Sequence, residues 1–475
     1  MRTDPHPGSD PAVTPGPVPA VTPGPVPAVT PWPTPGAAGP VTGTVTLPGS
    51  KSMAARALVL AALAGGPSTL DGGPRSRDTD LMVAGLTALG TEVANPADRC
   101  WLVRPAPLRG PARIDVGLSG TVMRFLAAVA GLATGPVRFD GDPAARRRPL
   151  APLIHALGAA GVRIDSPTGG LPLTVYGTGA VPGGTVDLDA SGSSQFVSGL
   201  LLAAARFERG LVVRHVGPPV PSAPHLAMTV AMLRDSGVEV DDGTPDTWAV
   251  APGTPQARAW LIEPDLSGAA PFLAAALVTG GRVTVPGWPA RTTQAGDRLR
   301  DLLTAMGGRC ELSRAGLTVR GTGTLRGLRA DLSEASELVP VLAALAALAG
   351  GPSRLTGIGH VRGHETDRLA ALARELTGLG TGVTVLADGL EIRPAPLHGG
   401  VFQTYDDHRM AHAGAVLGLA VPGLALSEVG CTGKTMPGFP AMWQALVAGR
   451  GTVPTGATAP PRPGPDGDVP AGEGS

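Results

Sequence analysis

Six times between residues 41 and 450 the chain repeats one pattern: an Ala/Leu-rich stretch of helical character, a glycine turn, a short β-branched run, then a loop. The copies are "ARALVLAALAGGPSTLDGG", "MRFLAAVAGLATGPVRFDGD", "VSGLLLAAARFERGLVVRHVG", "APFLAAALVTGGRVTVPGW", "VPVLAALAALAGGPSRLTGIG" and "HAGAVLGLAVPGLALSEVG". Their turn glycines, Gly66, Gly135, Gly210, Gly281, Gly351 and Gly423, are separated by 69, 75, 71, 70 and 72 residues. Between the copies lies a second signal, a helix closed by glycine and followed by strand-like alternation, as in "LTALGTEV", "LGAAGVRI" and "LRDSGVEV". Asp-Gly turns continue two of these into hairpins, "VEVDDGTPDTWAV" and "VTVLADGLEI". Each unit therefore reads strand–helix–strand–helix plus further strand. At about 70 residues it exceeds the 20–50 of ordinary solenoid repeats and is a folding unit in its own right. A unit with one apolar face must bury it on its neighbours, and six such units imply two domains of three, with the midpoint near "AWLIEPD" (259–265).

Composition narrows the partners. The net charge is zero and 16% of residues are charged, so nothing calls for nucleic acid or an anionic membrane as partner. Cys100, Cys310 and Cys431 are far apart, which argues against a disulfide framework or structural zinc and suits a reducing cytosol. The start of the chain lacks a secretory apolar region, and the longest apolar run, 338–351, is shorter than the ~20 residues of a membrane span. A soluble cytoplasmic protein is expected. Residues 11–34 use one eight-residue Pro-rich unit three times, and the tail from Gly451 is poor in apolar side chains. Residues 1–40 and 451–475 are therefore expected as disordered extensions.

The starts of the six Ala/Leu helices carry the chemistry: "GSKSMAAR", "GLSGTVMR", "ASGSSQF", "PDLSGAA", "DLSEASEL" and "YDDHRMA". Ser, Gly, Asp and Thr at these points fit helix N-caps, and capping accounts fully for "PDLSGAA". It does not account for Lys51, Arg56, Arg124 or Arg409, since each cation opposes the helix dipole by ~0.3–1 kcal/mol. Cations beside free backbone N–H groups make a phosphate or carboxylate site. The loops after each unit's strand add Arg75 and Asp78 to Asp80, then segments 144–149, 221–225, 291–298, 360–368 and 430–435. Approximate symmetry would turn both sets to one end of each domain, enclosing a cation-lined cleft for small, multiply anionic ligands. Lys51 and Lys434 are the only two lysines beside 36 arginines, and both belong to this set. A lysine desolvated among cations can exchange a proton, which a guanidinium cannot.

Two lookalikes fail. "GCTGKT" resembles a phosphate-binding loop, but Glu428 stands where its first glycine is required. His360 with His364, and His408 with His412, have the i, i+4 spacing of zinc ligands but lack the accompanying glutamate, so core or substrate-contacting histidines are expected.

Taken in order, "LPGSKSMAARALVLAAL", "SGTVMRF", "RRRP", "SGSSQF", "PSAPH", "GHETDRL", "DDHRMAHAG" and "TGKTMPGF" resemble the motif series of the 5-enolpyruvylshikimate-3-phosphate (EPSP) synthase family of enolpyruvyl transferases, over essentially all of 41–450. The resemblance implies an α/β fold of two domains, each three βαβαββ units in an inverse α/β barrel. Domain I would comprise 41–50 plus 263–450 and domain II 51–262. It implies a transferase of the shikimate pathway to chorismate and aromatic amino acids. The enolpyruvyl group of phosphoenolpyruvate (PEP) would pass to the 5-hydroxyl of shikimate 3-phosphate by addition and elimination, with no metal or organic cofactor. A monomer is expected. The alternatives are the sister transferase acting on UDP-N-acetylglucosamine and an inactive anion-binding relative.

Carried over motif by motif, the resemblance gives Lys51, Glu337 and Glu365 catalytic roles. Lys51, Ser52, Arg56, Ser193, Ser194, Gln195, Ser222, Glu337 and His364 would hold shikimate 3-phosphate. Lys51, Gly120, Arg148, Gln195, Arg368, Arg409 and Lys434 would hold PEP. Glu337, where many members have Asp, would accept the 5-hydroxyl proton. His364 replaces a frequent lysine, so charge there would depend on pH. Leu118, Phe125, His225 and His360 also depart from frequent family residues. Glyphosate occupies the PEP site in this family, and Gly120 leaves room for it.

Overall fold

The structure, a computed structural model, describes residues 30–97, 99–450 and the two-residue strand Thr452–Val453. The Pro-rich repeats through residue 29 and the tail beyond 453 lie outside the described residues.

The second unit shows the pattern whole. Strand Ala112–Asp115 leads into helix Gly120–Ala130, strand Thr134–Asp140, helix Ala151–Ala159, and the strands Arg163–Asp165 and Leu173–Thr178. The first two strands pair parallel across the helix, and the last strand inserts antiparallel beside the second. The third unit (184–250) and the fifth (329–393) repeat this order.

Units one and four exchange their leading strands. Strand Ala259–Leu261 runs parallel beside Ser68–Asp71 of the first unit, while Thr42–Val45 runs parallel beside Arg282–Val285 of the fourth. The chain therefore crosses between its halves twice. The two crossings touch, with Ser50 N donating to the Glu263 carbonyl at 2.7 Å and Asp265 N to the Pro48 carbonyl at 2.9 Å.

The sixth unit departs from the repeat. Strands Gly400–Phe402 and Leu424–Leu426 pair parallel around helix His408–Gly418, but among the described residues no hairpin follows helix Phe439–Val447. The antiparallel strand is Trp32–Pro33, which pairs with Ala425 and Leu426. Thr34 Oγ1 donates to the Leu424 carbonyl at 2.7 Å, and Ala37 N to that of Leu419 at 3.2 Å. Ordered chain thus begins well before residue 41, because the sheet of the last unit needs a third strand. Likewise Thr452–Val453, expected in the tail, pairs parallel with Thr44 and Val45.

Two separate hydrophobic cores result. One draws on residues 54–262 and the other on 41–47 together with 266–446. At the centre of each lie three helices buried on almost every side; all eleven residues of Gly120–Ala130 and all nine of Val339–Ala347 are buried. A helix apolar all round can only be interior, and with few aromatic residues in the chain the filling is Ala, Leu and Val. Small residues let the central helices approach closely. A Cβ on Gly199 would stand 2.7 Å from the Arg124 carbonyl oxygen, so that crossing admits only glycine. Among the described residues no helix is long and apolar enough to cross a membrane.

Candidate active site

The six central helices point their N-termini into one solvent-open cleft between the two cores. The contiguous half contributes Lys51 and Ser52, Gly120 and Arg124, and Ser193 to Gln195; the split half contributes Asp265 and Ser267, Glu337, and His408 and Arg409. Each N-terminus carries roughly +0.5 of an elementary charge, so the backbone alone makes this cleft attractive to anions.

Capping proves less uniform than the sequence suggests. Ser50, Ser119 and Asp407 cap their helices through side chains, whereas the helices starting at Gln195, Ala270 and Val339 have no side-chain cap. "PDLSGAA" is therefore more than a cap. Asp265 and Ser267 line the cleft, and the Ser267 carbonyl accepts from Arg409 Nη1 at 2.8 Å.

Acidic groups hold the cations. Lys51 Nζ lies 3.0 Å from Asp78 Oδ2, whose side chain is 2% exposed. Asp407, fully buried, accepts from Arg368 Nε at 2.7 Å and Nη2 at 3.2 Å, and from Arg409 N at 2.8 Å. Arg368 Nη2 also reaches Glu365 at 3.0 Å, and Lys434 pairs with the other oxygen of the same carboxylate. Glu337 Oε2 faces Arg409 at 3.3 Å and Arg368 at 4.0 Å, with 29% of its side chain exposed to the cleft. On the opposite wall Arg124 donates to Gln195 Oε1 at 2.7 Å, and Arg148 to the Leu118 carbonyl at 3.1 Å.

The segment leading into Asp407 is strained. Tyr405 and Asp406 have φ of 55° and 54°, in the left-handed region that side-chain-bearing residues seldom adopt. Each such residue costs on the order of 1–3 kcal/mol and persists only where its surroundings fix it.

Burial and opposing charges set the protonation states. Burial pushes the Glu337 carboxyl upward, but Arg409, Arg368 and Lys51 outweigh it and hold the group well below the usual carboxylate range. Glu365 behaves alike: burial raises it, while Lys434, Arg368 and Arg148 bring it far down. Both carboxyls are therefore ionised at neutral pH and able to act as bases. Lys51 differs from expectation, because it sits among carboxylates rather than cations. Burial lowers its pKa, yet Asp78, Glu365 and Glu337 raise it above the ordinary lysine value, so Lys51 is a firm ammonium. The pH switch expected at His364 is absent. Burial, reinforced by Arg368, pulls this ring down to about 3, and its Nδ1 stands 2.9 Å from Arg368 Nη1, so it is neutral near pH 7. His225 falls to about 4 by burial and by Arg56, and His408 also lies well below its ordinary value.

Lys51, Ser52, Gly120, Arg148, Ser193, Ser194, Gln195, Ser222, Glu337, His364, Glu365 and Arg409 come together around the cleft. Three others stand behind its wall. Arg56 spends its donors on Thr229 Oγ1, Ser198 Oγ and the Ser52 and His225 carbonyls, and burial draws it down to about 9, still cationic at neutral pH. Arg368 and Lys434 face the acidic groups just described. Ser222 bridges the halves: its N donates to the Ser333 carbonyl at 2.9 Å, and its Oγ lies 3.3 Å from Ser336 Oγ. Sequence reading gave no role to Asp78, Asp407, Asp265, Ser267 or Gln294, which line the cleft or orient its cations. The available signal was their position, within helix-start or loop segments already marked by charge. Among the described residues no group of three or more His, Cys, Asp or Glu side chains is arranged to hold a metal ion.

The model of the family described as EPSP synthase (3-phosphoshikimate 1-carboxyvinyltransferase) matches residues 36–443. A protein of Kocuria rhizophila named 3-phosphoshikimate 1-carboxyvinyltransferase is 54% identical over 423 residues, covering 87% of this chain and 95% of that one. Among solved structures, an EPSP synthase from Acinetobacter baumannii superimposes with a TM-score of 0.71 at 24% identity, covering 90% of this chain and 98% of that one. The enolpyruvyl transferase NikO from Streptomyces tendae gives 0.69 at 20% identity, covering 86% and 96%. These two likenesses speak for the fold, and the cleft described above sits within it.

Proposed function

The chain belongs to the EPSP synthase family, and from that premise we propose how its cleft performs the family's reaction. The protein is a 3-phosphoshikimate 1-carboxyvinyltransferase. It moves the enolpyruvyl group of PEP to the 5-hydroxyl of shikimate 3-phosphate and releases phosphate, on the route to chorismate and the aromatic amino acids. UDP-N-acetylglucosamine is not favoured as acceptor, given the name and closeness of the Kocuria relative. We place the protein in the cytoplasm, since its three cysteines are free thiols, as a reducing compartment keeps them.

The observation that carries the assignment of roles is the cleft's division of labour. Ser193, Ser194 and Ser222 lie towards the contiguous half and suit shikimate 3-phosphate, joined there by Ser52 and Gln195. Arg148 and Arg409 suit the phosphate and carboxylate of PEP, with Arg368 and Lys434 in reach just behind the wall and Gly120 giving the backbone close access. Arginine forks fix both anionic groups against the acceptor, which turns a bimolecular encounter into an oriented one. Glu337, ionised and partly exposed, accepts the proton of the attacking 5-hydroxyl. Glu365 serves at C3 of PEP. Its two cations, Lys434 and Arg368, are those the PEP anions would recruit, and a buried carboxylate losing such partners gains affinity for a proton. Lys51, a firm ammonium, bridges both substrates and steadies the tetrahedral intermediate and the departing phosphate. Arg56 acts from behind the wall, fixing Ser52 and His225.

The test is phosphate release from PEP plus shikimate 3-phosphate by the wild type and by Lys51→Arg. Turnover by the wild type with at least a hundredfold loss in the variant is expected. A variant of wild-type activity would show that only charge is needed at this position, and silence from the wild type would remove the reaction.

A further inference from the structure

Resting on that reading, we infer that Glu375 is a positioning residue for PEP capture: it holds the strained Gln403–Asp406 segment so that Asp407 can aim Arg368. Glu375 touches neither the cleft nor any group expected to meet substrate. It stands seven residues after Arg368 on helix Arg368–Gly378, two turns on and so on the same face. Both side chains grip one segment. Arg368 takes Asp407, while Glu375 Oε2 accepts from Gln403 N at 2.9 Å and Oε1 from the Tyr405 hydroxyl at 2.5 Å. Between these anchors lie the two left-handed residues, Tyr405 and Asp406.

A left-handed tyrosine is costlier than a left-handed asparagine or aspartate, because a bulky side chain rarely tolerates that backbone. Glu375 is 8% exposed, and its carboxylate has one oxygen for the backbone N–H and one for the phenol. Released from it, the segment would relax toward ordinary backbone angles and carry Asp407 with it. Among the described residues Asp407 alone holds Arg368 by two hydrogen bonds, and it also fixes the first turn of the helix bearing Arg409. Loosening this segment therefore disturbs two arginines assigned to PEP and none of the serines assigned to shikimate 3-phosphate.

Steady-state kinetics of Glu375→Gln and Tyr405→Phe in the full chain test this, with Asp406→Gly alone and combined with Glu375→Gln. Each of the first two is expected to raise KM for PEP about tenfold, the equivalent of one charge-assisted contact, while KM for shikimate 3-phosphate stays within about twofold. Glycine adopts the left-handed region freely, so Asp406→Gly in the Glu375→Gln background should recover much of the lost PEP affinity. Unchanged KM for PEP in both variants would overturn the inference, as would equal losses for both substrates or a fall in melting temperature without a kinetic change. Failure of the wild type to turn over would overturn the reaction assignment and this inference with it. Normal wild-type turnover with unaffected variants would overturn the inference alone.

Discussion

Gly120→Ala should weaken PEP binding and lower the stability of the fold at once. At the first residue of helix Gly120–Ala130 alanine lowers the entropy of the unfolded chain, which by itself favours folding by about 0.4–1 kcal/mol. For a half of this size that is about 2 °C in melting temperature. The added Cβ, however, would stand 2.7 Å from Gln195 Oε1 and 3.0 Å from both Arg124 Nη1 and Arg148 Nη2. Ordinary contact begins near 3.4 Å, so Gln195 must retreat by roughly 0.7 Å. That retreat breaks its 2.7 Å hydrogen bond from Arg124 and turns Arg148 away from the cleft. A hydrogen bond to a charged group is worth about 1.5–3 kcal/mol, which outweighs the entropic gain and lowers the melting temperature, while the displaced Arg148 and Gln195 should raise KM for PEP about tenfold. Phosphate release at varied PEP and saturating shikimate 3-phosphate, beside a thermal melt, reads both effects. A melting temperature that rises while KM for PEP stays within twofold would refute the steric reasoning, since the methyl group would have found room.

Further outcomes follow from the same geometry. Folded His225 near 4 and His364 near 3 lie below the ordinary 6.5, so the unfolded chain binds protons that the native one refuses. Their contribution is fully present above pH 6.5 and fades as pH falls toward those values, at up to about 1.4 kcal/mol per unit per histidine; denaturant titrations between pH 7 and 5 should show it, and His225→Phe should flatten it. Because His364 is already neutral, KM for shikimate 3-phosphate should change little between pH 6.5 and 8, which the sequence-based expectation of a titrating site would contradict. Removing residues 1–40 should lower the melting temperature by several degrees relative to removing 1–29, because only the longer deletion takes the strand at Trp32–Pro33. Glyphosate should inhibit in competition with PEP, and full activity at concentrations that saturate sensitive enzymes would rule this out.

The repeated unit was readable because it rests on local physics: helical runs of Ala and Leu, glycine stops, and strand alternation. The exchange of strands came only with the family resemblance, which put 41–50 with 263–450; local periodicity cannot show it, since it joins segments hundreds of residues apart. Trp32–Pro33 is the clearest case. Proline has no N–H to give, so a Pro-flanked dipeptide argues against a strand, and only an edge position makes it acceptable. At the site, the cations were legible as residues that capping could not explain. Their acidic partners were not: Asp78 and Asp407 look like ordinary helix-start residues until the fold sets them against Lys51 and Arg368. The reading of Lys51 as desolvated among cations failed for that reason. Which sign of charge surrounds a side chain is decided by packing across the cleft.

The double crossing also sets an order of events on the ribosome. Thr42 must wait for Arg282, 240 residues later, and Trp32 for Leu426, 394 residues later. At about 5–20 residues per second the first wait lasts roughly 12–50 seconds. During it the 54–262 core has all its own strands and can close once Ala259–Leu261 emerges. The strand Thr42–Val45 meanwhile projects with no sheet to join. Thr, Gly and Val in a short, uncharged edge invite pairing with other nascent chains. A pause or truncation between residues 262 and 320 should therefore leave a folded half that aggregates through its own N-terminus.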